Sequence, residues 1–329
     1  VFVLNWPDYL VGAVVMRITQ IAYGNGRSNK IKIACTQDVF GLPEVVAYEP
    51  EPPVWESPDV PPTPATLRLA KETTYYELVQ KGGQTATQAE LAANPEVGYL
   101  MCSAVRPSSG SISARLATDG GGGVFEDIKS IDFCPGGVLS ADLSKSDTLM
   151  VLTDFKDLDL ITPGTWAYID DEMIAVDAID PATGIATIRR GMLDTVPRPH
   201  EAGAPVLVAD EYVDDDNTEY VQGDSVGVAV LPVTGQGQLP LGSAPVDAVN
   251  FNARAIRPHR PGNLRANGDL WPDPSGAISY PVTITWSHRN RLLETVPTFT
   301  SWDAGNLTLE PGASYRLELY GINPAGEWT

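Results

Sequence analysis

Apolar and polar residues alternate along much of this chain, with the period of two that belongs to half-buried β-strands. Over residues 167–175, Tyr168, Asp170, Glu172 and Ile174 fall on one face, and Ile169, Asp171, Met173 and Ala175 on the other. A Pro181-Ala182-Thr183-Gly184 turn follows, after which Ile185, Thr187 and Arg189 alternate with Ala186, Ile188 and Arg190. The pattern predicts two strands joined by a tight turn. The positions that come next, Arg190-Gly191, Asp194-Thr195, His200 and Gly203, stand in a segment too rich in proline for a third strand. Such fixed polar and glycine positions suit a structural corner or an interface better than a catalytic pocket.

The same alternation predicts strands at residues 11–22, 30–36, 45–48, 75–79, 99–104, 113–117, 129–133, 148–152, 158–160, 206–208 and 226–231. Asn25-Gly26 supplies the positive φ angles of a hairpin between the first two. One short helix is expected over residues 86–94. Residues 49–64 are so dense in proline that they read as an extended strap, either a linker or an arm that pins Trp55 into a neighbouring subunit. Near the end, Val282, Ile284 and Trp286 share one face, and Tyr315, Leu317 and Leu319 share another. A buried Trp on one strand with a Tyr-x-Leu-x-Leu strand further on predicts a fibronectin-III-like sandwich.

Composition supports this picture. Apolar residues make up 43% and charged ones 19%, so most of the chain can fold, while 30 glycines and 28 prolines favour short strands and turns. The expectation is a mainly β chain of consecutive small β-barrel or β-sandwich domains. Its divisions are 1–47, a linker at 48–66, a β domain at 67–133, a small β domain at 134–209 that reads as an insertion, returning strands at 210–255, and the sandwich at 256–329. The opening VFVLNWPDYLVGAVVM is apolar but lacks a basic lead and carries Pro7 and Asp8, so it does not read as a signal peptide. Without an initiator Met, the chain is expected to begin inside a larger polypeptide.

Residues 1–250 account for the whole net charge of −20. That balance argues against nucleic-acid binding, which needs a basic stripe. Three cysteines, Cys35, Cys102 and Cys134, show no metal-binding spacing. Cys35 reads as a buried core thiol, and a Cys102–Cys134 disulfide has no positive support. The acidic run at 210–219 (DEYVDDDNTE) lacks the glycine and glutamate register of an EF-hand, so it reads as a solvated loop ahead of a calcium site. His200, His259 and His288 stand in no catalytic motif, and His200 is expected to hydrogen-bond backbone in a tight corner. The carboxylates Asp170, Asp171 and Glu172 form the kind of pair any acidic β-protein offers. The 120–123 glycine run lacks the Lys-Ser/Thr pair of a phosphate loop. No enzyme, cofactor or metal is expected.

Residues 167–208 also resemble a segment of the tail-tip (baseplate hub, host-specificity type) proteins of long-tailed phages and gene transfer agents. A pattern "gGEwm.V…l.v.RG.lDTvp..H.aGa.V" recurs there, matched here by Glu172, Arg190-Gly191, Asp194-Thr195, His200 and Ala202-Gly203-Ala204. Asp38-Val39-Phe40-Gly41-Leu42-Pro43 is similar to the end of the first hub barrel, and residues 254–320 to a frequent continuation "RairP..PgnlrvNG…vtitWs.RnR…YrlelY". The resemblance implies a virion tail tip assembled in the host cytoplasm. It implies a trimer around the tail axis that caps the tube, contacts the distal tail protein and carries host-receptor parts. Trp55, Arg189, Arg190, Gly191, Asp194, His200, Arg257 and Trp286 would then be interface or corner residues, with Trp55, Arg257 and Arg260 setting domain angles. The alternative is a receptor- or glycan-binding module that uses Trp271, Trp302 and Trp328.

Overall fold

The protein is mainly β, and its computed structural model describes residues 1–9, 11–23, 30–38, 60–271, 281–295 and 299–318. The chain divides into two compact units, Val1–Trp55 and Glu56–Thr329. In the first, Phe2–Trp6, Val11–Ala22 and Lys32–Gln37 form an antiparallel sheet in that order. The strand Phe2–Trp6 is an addition to the sequence reading; a single 3-10 turn at Pro7–Tyr9 carries it into the next strand. None of residues 1–9, 12–23 and 30–38 is buried, Val3, Ile18, Ile21, Ile31 and Ile33 included. Cys35, expected in a core, is half-buried, because a single thin sheet has no second layer to enclose it. The predicted strand at 45–48 and Trp55 lie outside the described residues.

In the second unit a closed barrel is nested between strands that pair with one another. Its order is Leu149–Lys156, Ile185–Arg189, Glu172–Ile179, Thr165–Ile169, Pro205–Leu207 and Gly136–Leu139, every ladder antiparallel. Around it, Ser225–Thr234 pairs with Ser111–Thr118, Gly237–Gln238 and Val246–Asn250, and Ser111–Thr118 pairs with Glu126–Ile131. Strands before and after residues 134–209 thus share one sheet. Arg68–Glu72 pairs with Leu100–Ala104, and Tyr220–Val221 with Val97–Gly98.

The run at 167–175 is two strands, not one. Thr165–Ile169 turns at Asp170-Asp171 and returns as Glu172–Ile179, with Ile169 opposite Glu172. Asp170 takes a positive φ of 50°, which Asp accepts at modest cost. Because the turn reverses the chain, Asp170 and Glu172 do not share a strand face as the alternation suggested. Both faces of this hairpin are buried. Ala167, Ile169, Ile174 and Val176 fill the barrel, while Trp166, Tyr168, Met173 and Ala175 pack outward on Leu69, Tyr76 and Met101. The second hairpin turns at Pro181–Gly184 as predicted. Gly184 is required there: φ is +70°, and a Cβ would come within 2.6 Å of the Leu152 carbonyl oxygen.

Two further corrections concern helices. Residues 75–79, read as a strand, open the helix α1 (Tyr75–Gly82), which Gly83 separates from α2 (Gln84–Ala93), the helix expected near 86–94. Thr74 caps α1, its Oγ1 accepting from the Glu77 amide at 3.3 Å. Residues 158–160 form a 3-10 turn instead of a strand. None of the described helices is long and apolar enough to cross a membrane.

In the terminal segment the described residues carry one two-stranded ladder, Gly262–Ala266 with Ile284–Ser287. Residues 315–318 carry no strand, and 319–329 lie outside the described residues. Trp286, expected to be buried, is exposed and meets Tyr315 edge-on, since no second sheet covers its face among the described residues.

Candidate functional site

Of the residues singled out by the sequence, Arg190, Gly191 and His200 converge on one corner of the barrel. Glu172, one residue past the Asp170-Asp171 turn, is only 1% exposed. Its carboxylate accepts from Arg190 Nε and Nη2 at 2.8 Å each, from the Gly191 amide at 2.9 Å, from the Arg198 amide at 2.8 Å, and from His200 Nε2 at 3.0 Å. Those donors fill the acceptor sites of a carboxylate. The other imidazole nitrogen, Nδ1, sits 2.8 Å from Asp170 Oδ2. The His200 ring therefore binds two carboxylates, and only its backbone, paired with Leu143, does what the sequence reading assigned to it. Arg190 also donates to the Ser144 and Arg198 carbonyls, at 2.6 Å each.

Charge states follow from these contacts. Burial alone would push the Glu172 carboxyl up, but the bonds from Arg190 and His200 outweigh it and hold it below its usual range. Burial would likewise lower the His200 imidazole, and its bonds to Glu172 and Asp170 raise it instead. Gly191 completes the corner. Its φ is +60°, and a Cβ would stand 2.5 Å from Pro197 Cδ and 2.7 Å from Trp302 Cβ.

Two more ion pairs, Asp194–Arg254 half-buried and Glu294–Arg289 buried, join this corner to its surroundings. Asp194 receives Arg254 in a fork, at 2.7 and 2.9 Å, while Arg254 Nη1 donates to the Glu72 carbonyl at 2.8 Å. Glu72 in turn accepts from the amides of Asn252 and Arg254. Burial would raise the Asp194 carboxyl; Arg254 overcomes that and lowers it. Further along, Arg289 donates to Glu294 (Nη2 to Oε1, 2.8 Å), and His259 Nδ1 lies 2.8 Å from Glu294 Oε2. For Glu294 too, burial is outweighed, by His259 and Arg289, and the carboxyl is held low. Arg289 Nη1 also reaches the Gly191 carbonyl at 3.3 Å, and the Trp302 amide donates to the Arg190 carbonyl at 3.0 Å. The terminal segment is thereby tied to the barrel corner.

Of the remaining sequence candidates, Arg189 binds Asp177 at 2.9 Å and the Phe299 carbonyl. Arg257 is exposed, on the wall of an open cleft of about 720 Å³. Trp302 is buried and stacks on Trp271 with centroids 4.8 Å apart, and Lys145 lies over the Trp271 ring at 4.2 Å. A sugar platform needs an open ring face, which Trp302 does not offer; Trp328 lies outside the described residues.

Sequence reasoning passed over Arg254, Glu72, Glu294 and Arg289, and gave Glu172 no special part. Glu172 stands 18 residues from Arg190 and Asp194 stands 60 from Arg254, separations that no local rule pairs, while Arg289 and Glu294 are only five apart. The run at 210–219 is more than a solvated loop. Asp214 exchanges two backbone bonds with Cys102, and Asp216 is buried, accepting from Thr118 Oγ1 and Tyr220 OH. Among the described residues no group of three or more His, Cys, Asp or Glu is placed to hold a metal ion. Cys102 and Cys134 are both buried, free thiols.

Fold and site together define a β-protein of several small β domains, with buried and half-buried carboxylate–arginine pairs tying the barrel corner to its surroundings. No protein-family model matches the chain, and no curated protein is significantly similar to it.

Proposed function

We propose that this chain is a structural component of the tail tip (baseplate hub) of a long-tailed phage or phage-like particle, working with further copies of itself. The observation that carries the reading is the sheet of residues 2–37, which has no buried described residue and exposes Val3, Ile18, Ile21 and Ile33. A three-stranded sheet has little stability of its own without a covered apolar face. Apolar side chains spread over such a sheet mark a surface made to be covered. In the hub resemblance this segment closes a barrel beside the tail axis, where partner subunits of a trimer and the distal tail protein supply that cover. The locked corners of the second unit support the same reading, since a component that transmits force needs domains held at fixed angles. Residues Arg189, Arg190, Gly191, Asp194 and His200 serve as such a corner, without catalysis. Host-receptor contacts belong to distal parts of the assembly.

Immunogold labelling of intact particles with an antibody against the second unit tests this. Gold confined to the tail tip, with a trimer on native mass measurement, is the expected result. A monomer absent from any particle would leave the receptor- or glycan-binding module as the better account.

A further inference from the structure

A cavity of about 860 Å³ lies away from the ion-pair corner, between α1 and α2 on one side and the 210–217 segment on the other. Its wall includes Tyr76, Glu77, Tyr99, Asp210 and Glu211. Lys81 and Lys129 also reach it, but each is already neutralised, by Asp215 and Asp214 respectively. Asp210 accepts a bond from Thr165 Oγ1 at 2.8 Å. Glu77 is different. The residue is only 8% exposed, and its Oε2 is buried with no hydrogen-bond partner. A buried carboxylate oxygen left without a donor is costly, and native structures rarely carry one without a reason.

We propose that this cavity binds a primary ammonium group on an apolar stem, with Glu77 as its acceptor, Tyr76 and Tyr99 along the stem, and Asp210 and Glu211 as the attracting charges. The chemistry selects that class. An oxygen lacking a donor calls for an N–H, which a quaternary ammonium does not have. The described residues offer no cluster of three ligands for a metal ion. Tyrosine rings favour cations on hydrocarbon stems over bare hydrated ones. A cavity of this size lies within the range of small-ligand sites.

Protonation is coupled to the event. Burial raises the Glu77 carboxyl to about 8; Arg254 opposes that, and Asp210 and Asp194 add to it. Burial therefore favours the neutral acid near pH 7 where no cation is close by. An ammonium favours the ionised form, so binding releases a proton and tightens as pH rises toward 8.

Two sources present this chemistry, a free diamine and a lysine on a partner chain. Titration calorimetry on the full chain distinguishes them, using 1,5-diaminopentane, Nα-acetyl-lysine N-methylamide and tetramethylammonium as probes. The expected result is one-to-one binding of at least one amine, a heat that varies with buffer ionisation enthalpy, and no binding of tetramethylammonium. Tighter binding of the lysine amide assigns the site to a partner chain, and tighter binding of the diamine to a free amine. Glu77→Gln should weaken the amine about tenfold or more. Glu211→Gln, at an exposed position that folding does not need, should weaken it about threefold and serves if the first variant is unstable. No heat with either amine at millimolar concentration overturns the proposal. So does equal affinity in wild type and Glu77→Gln, or, where that variant does not fold, in wild type and Glu211→Gln.

Discussion

Glu172 shows how much one buried residue can organise. Taking its charge out of water is expensive, and the structure offsets that with a forked arginine, a histidine and two amides. Removing the charge strands Arg190 and His200, so Glu172→Gln should cost about 3–5 kcal/mol, a Tm drop of roughly 10 °C in a thermal melt. The pH dependence follows from the two shifts. His200 is raised, so its contribution is complete below its unfolded value of about 6.5 and is lost as pH rises through the folded value. Glu172 is lowered, so its contribution is present above about 4.3 and is lost as pH falls through its folded value. Glu77 adds a decline of its own from about pH 4.3 up to about 8, because its carboxyl is raised. Urea midpoints between pH 6 and 9 should therefore fall in both wild type and His200→Gln, but less steeply in the variant. An unchanged slope would mean that the imidazole is not held between its two carboxylates. Little of this was legible beforehand: Arg190 and His200 stood out, yet their partner Glu172 lies 18 and 28 residues earlier, beyond any local pattern.

At the scale of elements, the sequence reading made two errors, and the first has a plain cause: an alternating pattern does not say where the chain reverses. Asp170-Asp171 fits the alternation of a continuous strand, and only the ladder from Ile169 to Glu172 reveals the turn. The second has another cause: Tyr75-Tyr76 looks like strand, since aromatic residues favour sheets. Thr74 and Glu77 nevertheless stand at the spacing of a helix cap, a local signal that was available. The Pro181–Gly184 turn was legible because proline and glycine restrict φ directly. Gly191 belongs with that turn, at positive φ and in close contact. Gly191→Ala should lower stability by about 2 kcal/mol or more in urea unfolding, well beyond an ordinary surface change. A shift under about 0.5 kcal/mol would show that Pro197 and Trp302 can give way.

Across the whole molecule, the first unit's exposed apolar sheet and the second unit's locked corners call for different tests. Ile21 and Ile33 face each other across the sheet and are 40% and 51% exposed. The double variant Ile21→Thr/Ile33→Thr should weaken self-association in sedimentation equilibrium while leaving the melt of the second unit unchanged. Loss of that melt would mean the sheet serves folding instead of assembly. The sequence by itself determined the β character, most strands and the hairpin at Pro181–Gly184, and it singled out Arg190, Gly191 and His200 but not their partner Glu172, because period-two alternation and restricted φ angles are local physics. Only the tertiary structure decided that the hairpin of Thr165–Ile169 and Glu172–Ile179 is buried on both faces, and that Glu172, Asp194 and Glu294 each close on an arginine. Strand pairing and the pairs Glu172–Arg190 and Asp194–Arg254 join residues far apart in sequence, and their energies depend on surroundings shielded from water that do not exist until the chain has folded.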